Sequence, residues 1–221
     1  MVKKACLVGL AGFLVWCWTA PLGAQGDKPA GAPPPAAPAA AAATEAQKTA
    51  PEIPKEKQTT LGLYVTAKEA YDLWQKDQQK IKIIDCRTPE EYAFVGHAPM
   101  AANVPSKFMT YAWDEKKKEY VMKPNPNFVK EVQKRFAKDD TILVMCRSGQ
   151  RSGPSVDLLA KAGFTKVYNI TDGFEGDKIK DPQSPNSGKR MKNGWRISNL
   201  PWTYDLDVNL VYLPKGKPKA K

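Results

Sequence analysis

The sequence predicts an α/β fold built on a central parallel sheet of about five strands with helices on both faces. Short apolar runs alternate along the chain with stretches of helical periodicity, the pattern of strands joined by crossover helices. Residues 66–69 and 88–91 each carry a capping-box pattern, and the second adds a proline at the first helical position. The apolar run at residues 142–145 ends at a cysteine and leads into a helix, as strands do at the carboxyl edge of a parallel sheet.

The folded domain, with a C-terminal extension, is expected over residues 61–213. Tyr92 and Phe94 are expected to lie in its core, and residues 205–213 are expected to pack back on it. In chain order the expected elements are a strand over 62–65, a helix from 67 to about 75, a strand over 81–85, a helix that begins at Pro89, a hairpin of 108–113 with 120–122, a helix capped by Asn127 that runs to about 137, the strand 142–145, a helix from about Gly153 that ends at Gly163, and a last strand over 166–170.

The N-terminus has the pattern of a secretory signal peptide over residues 1–24. Lys3 and Lys4 precede an apolar segment, residues 5–20, and Ala24 offers a small residue for cleavage. That segment is short for a membrane span, so we expect no stable membrane insertion after cleavage and a periplasmic location. An uncleaved membrane anchor is the alternative.

The rest of the chain outside the domain is low in sequence complexity or strongly basic. Residues 25–60 are rich in Ala and Pro and bury too little to fold, which predicts a disordered linker; residues 214–221 form a basic tail. The formal net charge is +11, from 34 Lys and Arg against 23 Asp and Glu. This excess lies in no single block and is not interleaved with aromatic residues, so no nucleic-acid partner is expected. It favours solubility and weak attraction to anionic surfaces or acidic partners.

The four cysteines, Cys6, Cys17, Cys86 and Cys146, include no C-x-x-C pair, and signal cleavage would leave only the last two. His97 is the single histidine. A structural zinc site and a c-type haem site are therefore not expected. The Gly-His-Ala-Pro setting of His97 indicates a turn; the alternative is a base that pairs with a cysteine.

Cys146 occupies a setting that activates thiols. It opens the sequence Cys-Arg-Ser-Gly-Gln-Arg-Ser at residues 146–152, between the apolar strand and a helix N-terminus. Inward-pointing amides and the positive end of a helix stabilise an anion and lower the pKa of a thiol there, and Arg147 and Arg151 add positive charge. The same loop would bind an anionic substrate beside the sulfur. A buried, inert cysteine is the alternative.

The length of this loop limits the size of the group that it can bind beside the sulfur. Cysteine-based phosphatases and arsenate reductases place five residues between their cysteine and arginine, whereas four separate Cys146 from Arg151. The shorter loop suits a smaller target, such as a sulfur atom carried on the thiolate, and disfavours a phosphatase. A loop of this sequence after an apolar strand resembles the active-site loop of single-domain rhodaneses, the thiosulfate and related sulfurtransferases.

A second motif agrees with this resemblance. Residues 83–105 resemble the rhodanese signature of Asp-x-Arg, then Glu-Tyr, then Gly-His-Ile-Pro-Gly-Ala-x-Asn-Ile-Pro, except that Ala98 replaces the usual Ile and Met100 a usual Gly. The likeness covers residues 61–175 and extends more loosely to about residue 202, where Gly-Trp and Leu-Pro segments resemble the end of the family's domain. With the signal peptide, it suggests a secreted bacterial type of rhodanese.

The resemblance implies a sulfurtransferase that needs no cofactor. Cys146 would take a sulfane sulfur from thiosulfate or a similar small anionic donor, hold it as a persulfide, and pass it to a thiol or to cyanide. The two loop arginines would hold the anionic donor, and loop amides and serine hydroxyls would stabilise the thiolate and the persulfide. The substrate-binding residues would be Arg147, Ser148, Gly149, Gln150, Arg151 and Ser152.

Three residues at the end of the strand 81–85 belong with this site. The resemblance implies that Asp85 and Arg87 brace the active loop through hydrogen bonds; a surface ion pair is the alternative. Cys86, between them, is either a small buried hydrophobic residue or a resolving thiol that closes a disulfide with Cys146.

Other functions for the same fold stay open. Rhodanese-like domains also act without catalysis, so the chain could be a sulfur carrier or binding module for a periplasmic protein partner, or a redox sensor that uses both cysteines. Intact Cys146 and both loop arginines argue against an inactive domain. The basic residues of the polar stretch 176–199 either rim the pocket or form a solvated loop; they are Lys189, Arg190, Lys192 and Arg196.

Overall fold

A computed structural model of the chain describes residues 52–214. The expected signal peptide, the expected linker up to residue 51 and the tail from residue 215 lie outside the described residues. The last part of the expected linker, residues 52–60, is not disordered: Lys57 is buried and binds Asp177, and the amide of Thr60 donates to Asp157. None of the helices within 52–214 has the length and apolarity that crossing a membrane requires.

The described elements follow the expected order. They are a 3₁₀ helix Lys55–Lys57, β1 Tyr64–Val65, α1 Ala67–Lys76, β2 Ile81–Asp85, α2 Pro89–Phe94, β3 Ala102–Asn103, β4 Lys107–Asp114, β5 Glu119–Pro124, α3 Phe128–Arg135, β6 Thr141–Met145, α4 Ser152–Lys161 and β7 Val167–Ile170.

Five of these strands form one parallel sheet in the order β1-β7-β6-β2-β3. Helix α1 packs on one face of the sheet, and α3 and α4 pack on the other. The predicted fold class is therefore confirmed. The remaining two strands, β4 and β5, form the predicted antiparallel hairpin outside the sheet.

Strand β6 shows how the sheet positions the site. Its side chains alternate between two hydrophobic layers: Leu143 and Met145 lie in the layer under α1, and Val144 lies in the layer under α3 and α4. Cys146 continues this alternation and enters the second layer. Cys86 enters the same layer from the adjacent strand β2, because the register pairs the two preceding residues with each other.

The predicted capping signals are confirmed for two helices and changed for a third. Thr66 caps α1 and Thr88 caps α2, each with the reciprocal hydrogen bond of a capping box. Asn127 occupies the N-cap position of α3, but its side chain makes no capping bond. Instead, Oδ1 of Asn125 accepts a hydrogen bond from the amide of Asn127 at 2.9 Å, so the turn before the helix is held by the earlier asparagine.

The core prediction is confirmed for Tyr92 and wrong for Phe94. Tyr92 is buried, and its hydroxyl donates to the carbonyl of Ala101 at 2.8 Å. Phe94 is 83% exposed. Helix α2 is less than two turns long and rests on one face, and two residues rotate a side chain by about 200° around a helix. Phe94 therefore points away from the face that Tyr92 buries.

The C-terminal extension packs on the domain as expected. Trp195 is fully buried and donates from Nε1 to the carbonyl of Pro201 at 2.8 Å. The carbonyl of Leu210 accepts from the amide of Asn103 in the edge strand β3 at 2.8 Å. This extension covers the edge of the sheet that would otherwise present unpaired backbone groups.

Candidate active site

Cys146 lies at the carboxyl end of β6, between strands β7 and β2, where crevices form in parallel sheets. Its Sγ accepts hydrogen bonds from the amide of Arg151 at 3.3 Å and from Oγ of Ser152 at 3.4 Å. Its carbonyl accepts from the amide of Phe174 at 2.8 Å, which ties the loop to the turn after β7. The sulfur thus stands at the centre of a closed loop that feeds α4.

Two glycines allow this loop to close. Gly149 has φ +87°, and a Cβ there would overlap the carbonyl of Thr171. Gly173 has φ +62°, and a Cβ there would lie 2.6 Å from the carbonyl oxygen of Cys146. Only glycine combines a positive φ with such close backbone contacts, so these two positions set the shape of the loop.

The hydroxyl of Ser152 stands between two acceptors. Its Oγ lies 3.4 Å from Sγ of Cys146 and 2.6 Å from Oδ1 of Asn169. The side-chain nitrogen Nδ2 of Asn169 donates to the carbonyls of Lys57 at 2.8 Å and Gly149 at 3.1 Å, which leaves Oδ1 as the acceptor. Because a hydroxyl has a single proton, the serine shares it between the asparagine and the sulfur. Asn169, on β7, therefore holds Ser152 against Cys146.

These contacts favour a thiolate. Burial raises the pKa of Cys146, but opposing contacts lower it well below the ordinary value. The largest of them is a hydrogen bond from the Cys86 thiol, followed by the charge of Arg151. Hydrogen bonds from Ser152 and from the amide of Ser148 add to the same effect. Cys146 is thus buried, and its neighbours favour the thiolate, the reactive form of a cysteine.

Cys86 is the protonated partner of this pair. Burial and the neighbouring Cys146 raise its pKa well above the ordinary value. The Oγ of Ser155, on α4, lies 3.7 Å from its sulfur. Neither cysteine forms a disulfide in this structure. The arrangement brings the two expected residues together without a disulfide.

The two loop arginines make different ion pairs. Arg151 is mostly buried, and both of its terminal nitrogens bind Glu91, at the start of α2, at 2.6 Å. Arg147 is about half exposed, and its Nε lies 3.0 Å from Oε1 of Glu175. Arg151 is therefore fixed in place, whereas Arg147 is accessible at the cavity.

Asp85 and Arg87 form a fully buried ion pair with Nη2 and Oδ2 2.6 Å apart. Arg87 also donates to the carbonyl of Gly96 at 2.7 Å, and its guanidinium lies 4.2 Å from the ring centroid of Phe174. The alternative of a surface ion pair is wrong. Among the described residues the pair makes no hydrogen bond to the loop 146–152; it contacts the loop indirectly, through Phe174, whose amide binds the carbonyl of Cys146.

A cavity of about 390 Å³ opens above the sulfur. The hairpin of β4 and β5 forms its outer wall, with Tyr120 and Met122 among the lining side chains. Of the predicted site residues, the cavity is lined by Cys146, Arg147, Ser148, Gln150 and Arg151. Gly149 and Ser152 are buried behind it and shape the loop.

Arg190 and three other residues complete the site. Arg190 lines the cavity, so the basic stretch 176–199 does reach its rim. In the sequence Glu91 stood out as a helix cap and as part of the Glu-Tyr element of the family signature, but not as a partner of Arg151; Asn169 and Glu175 carry no local signal of a role. His97 is buried and stacked on Tyr92 with ring centroids 3.7 Å apart, and is not part of the cavity lining. Within residues 52–214 no cluster of His, Cys, Asp or Glu is placed to hold a metal.

Comparison with known proteins agrees with this geometry. The family model described as "Rhodanese-like domain" matches residues 66–180. The chain is 39% identical over 93 residues to "Thiosulfate sulfurtransferase 16, chloroplastic" of Arabidopsis thaliana, a match that covers 42% of this chain and 70% of that protein. It is 36% identical over 97 residues to "Senescence-associated protein DIN1" of Raphanus sativus, which covers 44% of this chain and only 48% of that protein, about half its length.

A solved structure shows the same architecture. The crystal structure of Rv0390 from M. tuberculosis matches with a TM-score of 0.50 and 26% identity, and covers 64% of this chain and 96% of that one. The family model spans more than half of the 221 residues. The sheet, the loop around Cys146 and these matches lead to one conclusion: the chain belongs to the rhodanese-like family, a general sulfurtransferase superfamily.

Proposed function

We propose that the protein is a sulfurtransferase that carries a sulfane sulfur as a persulfide on Cys146. The observation that carries this proposal is the contact set of Sγ: the amide of Arg151 and the hydroxyl of Ser152 donate to a sulfur that lines a cavity together with Arg147, Arg151 and Arg190. A site that stabilises a buried thiolate also stabilises the anionic persulfide, because both place negative charge at the same donors.

In the first half-reaction the Cys146 thiolate attacks the outer sulfur of thiosulfate. A new S–S bond forms to the cysteine, the sulfur–sulfur bond of the donor breaks, and sulfite leaves with the bonding electron pair. The products are a Cys146 persulfide anion and sulfite, so charge and atoms balance without an oxidant. The name of the Arabidopsis relative, a thiosulfate sulfurtransferase, supports this choice of donor.

In the second half-reaction a nucleophilic acceptor, a thiol or cyanide, attacks the outer sulfur of the persulfide. The S–S bond to the enzyme breaks, and Cys146 leaves as a thiolate stabilised by the same contacts. The cycle returns the enzyme to its starting state, which is covalent, ping-pong catalysis.

The ion pairs suggest separate roles for the two arginines. The backbone amide of Arg151 donates to the sulfur, and its guanidinium, held by Glu91, contributes positive charge from a fixed position. Arg147, half exposed at the cavity, is better placed to hold the sulfonate end of the donor.

Steady-state kinetics with thiosulfate and cyanide test this proposal. Thiocyanate production should give parallel double-reciprocal lines as the cyanide concentration is varied, and Cys146→Ser should abolish it. Intersecting lines, or activity that survives in the variant, would contradict a persulfide on this residue.

The alternative function with support in the structure is redox sensing. Cys86 and Cys146 follow paired residues of adjacent strands and lie in the same buried layer. A peroxide would oxidise the Cys146 thiolate to a sulfenic acid with release of hydroxide, and Cys86 would then displace water and close a disulfide. Mild peroxide treatment should remove two hydrogens from the wild-type mass and not from Cys86→Ala; equal behaviour of the two proteins would exclude this function.

The location of the reaction is also a proposal. The signal pattern in residues 1–24 supports export to the periplasm, where the acceptor would be a small thiol or a protein partner. Cell fractionation with an antibody against the domain tests this, because a cytosolic, full-mass protein would contradict export.

A further inference from the structure

A second cavity adjoins the one above Cys146. It has a volume of about 290 Å³ and shares three lining residues with the first, namely Ser148, Gln150 and Arg190. The 3₁₀ helix at residues 55–57 and the loop 177–192 form its remaining walls. The two cavities therefore meet at the active loop.

The second cavity is a built part of the fold. Nζ of the buried Lys57 donates hydrogen bonds to both carboxylate oxygens of Asp177, at 2.8 and 2.9 Å. The side-chain nitrogen of Asn193 donates to the same carboxylate at 3.3 Å. A backbone bridge between Lys178 and Arg190 closes the loop on itself. These contacts hold the loop 177–192 against the N-terminal part of the domain.

The charge of this cavity is strongly positive. Lys57 is neutralised by Asp177. Lys178, Lys180 and Lys192 also line the cavity, and within residues 52–214 none of them forms an ion pair. Glu56 is the one other acidic residue of the described lining. The walls thus carry a surplus of cationic side chains that would bind carboxylates.

Arg190 lines both cavities, and within residues 52–214 it forms no ion pair, although the carboxylates of Glu175 and Asp177 lie near enough to act on its charge. Its Nη1 donates to the carbonyl of Gly176 at 2.6 Å, but its Nε is buried with no hydrogen-bond partner among the described residues. Burial and the charge of Arg147 both lower its pKa. A bound anion would relieve the repulsion between the guanidinium groups of Arg190 and Arg147.

The size of the combined space exceeds that of a small oxyanion. The first cavity alone reaches the lower end of the roughly 300–1,000 Å³ that hold drug-sized ligands. Thiosulfate would fit beside Cys146 and leave the second cavity empty. A larger anionic ligand would span both cavities and contact the basic walls at 177–192.

We propose that the second cavity binds the carboxylates of the sulfur acceptor, a small anionic thiol such as a thiol peptide of the glutathione type. This inference rests on the proposed function. The thiol enters the first cavity while its carboxylates bind Lys178, Lys180 and Lys192. Its sulfur forms a bond to the outer sulfur of the persulfide, the S–S bond to Cys146 breaks, and the thiol proton remains on the transferred persulfide.

A single-turnover experiment tests the acceptor half alone. The full-length protein is loaded with thiosulfate, the persulfide is verified by intact mass, and the donor is removed. The rate of persulfide loss is then measured with glutathione and with its diester, which carries the same thiol without free carboxylates. Wild-type protein should react faster with glutathione by roughly five- to tenfold, as expected for a few partly exposed ion pairs.

Charge variants locate the effect. In the triple variant K178Q/K180Q/K192Q the preference for glutathione over its diester should fall to near unity. The matched control is K76Q/K161Q/K166Q, which removes the same charge from exposed lysines that line neither cavity and should keep the preference. Equal rates with the two thiols in wild type, or equal loss of preference in both variants, would overturn the inference. Failure to load the persulfide would instead refute the proposed function, before any acceptor is added.

Discussion

Arg151 and Glu91, sixty residues apart, form a bidentate ion pair in which each terminal nitrogen of the arginine binds one carboxylate oxygen at 2.6 Å. The amide of the same arginine binds Sγ of Cys146. The carboxylate also completes the cap of α2. The pair therefore links the active loop to the helix that follows the neighbouring strand β2, and it fixes the end of the loop that contacts the sulfur.

Loss of this pair should destabilise the protein in a pH-dependent way. Burial raises the pKa of Glu91, but the hydrogen bonds and charge of Arg151 outweigh it and lower the pKa. The pair's stabilisation is thus present above the ordinary glutamate pKa of about 4.3 and is lost as the pH falls through the lower folded value. Glu91→Gln should lower the free energy of unfolding at pH 7 by about 1–3 kcal/mol.

Urea unfolding of both proteins between pH 7 and pH 3 measures this. The difference between wild type and Glu91→Gln should shrink as the medium becomes acidic. A difference that is constant with pH would mean that the variant acts through packing and not through the ion pair.

The Cys86 thiol should lower the pKa of Cys146, since its hydrogen bond is the largest of the favourable contacts. Cys86→Ala removes that donor, so the pH midpoint for alkylation of Cys146 by iodoacetamide should rise. Cys86→Ser keeps a donor in the same place and should leave the midpoint nearer to that of wild type. Identical midpoints in all three proteins would show that Cys86 has no influence on the thiolate.

Asn169 should act as a positioning residue for the sulfur. Asn169→Asp can still accept from Ser152, but it cannot donate to the carbonyls of Gly149 and Lys57, and it adds a negative charge behind the thiolate. We expect a loss of about 2–4 kcal/mol in the free energy of unfolding, because two buried carbonyls lose their donors.

The same variant should raise the pKa of Cys146. Asn169→Leu is the control for charge: it removes the two donated hydrogen bonds as the aspartate does, and also the acceptor of Ser152, but adds no charge, so it should raise the alkylation midpoint less. If both variants have the midpoint of wild type, Asn169 has only a structural role.

A side chain at Gly149 should destabilise the fold strongly, because the backbone of Thr171 lies against this residue. Gly149→Ala combines a positive φ with overlap on the backbone of Thr171, and should cost roughly 2–5 kcal/mol of unfolding free energy. Gly188→Ala has a similar φ of +79° but open space around the new methyl, and should cost only about 1–2 kcal/mol. Equal losses, measured by urea unfolding, would contradict a close approach at Gly149.

Much of the fold was predictable because its signals are local. The capping boxes at Thr66 and Thr88, the hairpin, and the strand that ends at Cys146 are each encoded within a few residues. Phe94 was wrongly assigned to the core because a phenylalanine is usually buried. Its actual exposure depends on which face of the short helix α2 packs on the domain, and the sequence does not show that.

The details of the site could not be predicted, since they depend on long-range contacts. No local pattern pairs Arg151 with Glu91 or places Asn169 behind Ser152, because these partners lie on different elements. The position of the basic stretch 176–199 also depends on long-range contacts. The basic stretch 176–199 allowed either a solvated loop or a pocket wall, and only the folded chain brings Arg190 to the cavity.

The central claim is that Cys146 alone receives the sulfur, and it has a direct test. Reduced mature protein is incubated briefly with thiosulfate in the absence of an acceptor, and its intact mass and the released sulfite are measured in the same sample. We predict a gain of one sulfur atom per chain with one equivalent of sulfite, and neither in Cys146→Ser. A folded wild-type protein that gains no sulfur from thiosulfate, mercaptopyruvate or polysulfide would contradict the sulfurtransferase account and favour a non-catalytic binding module.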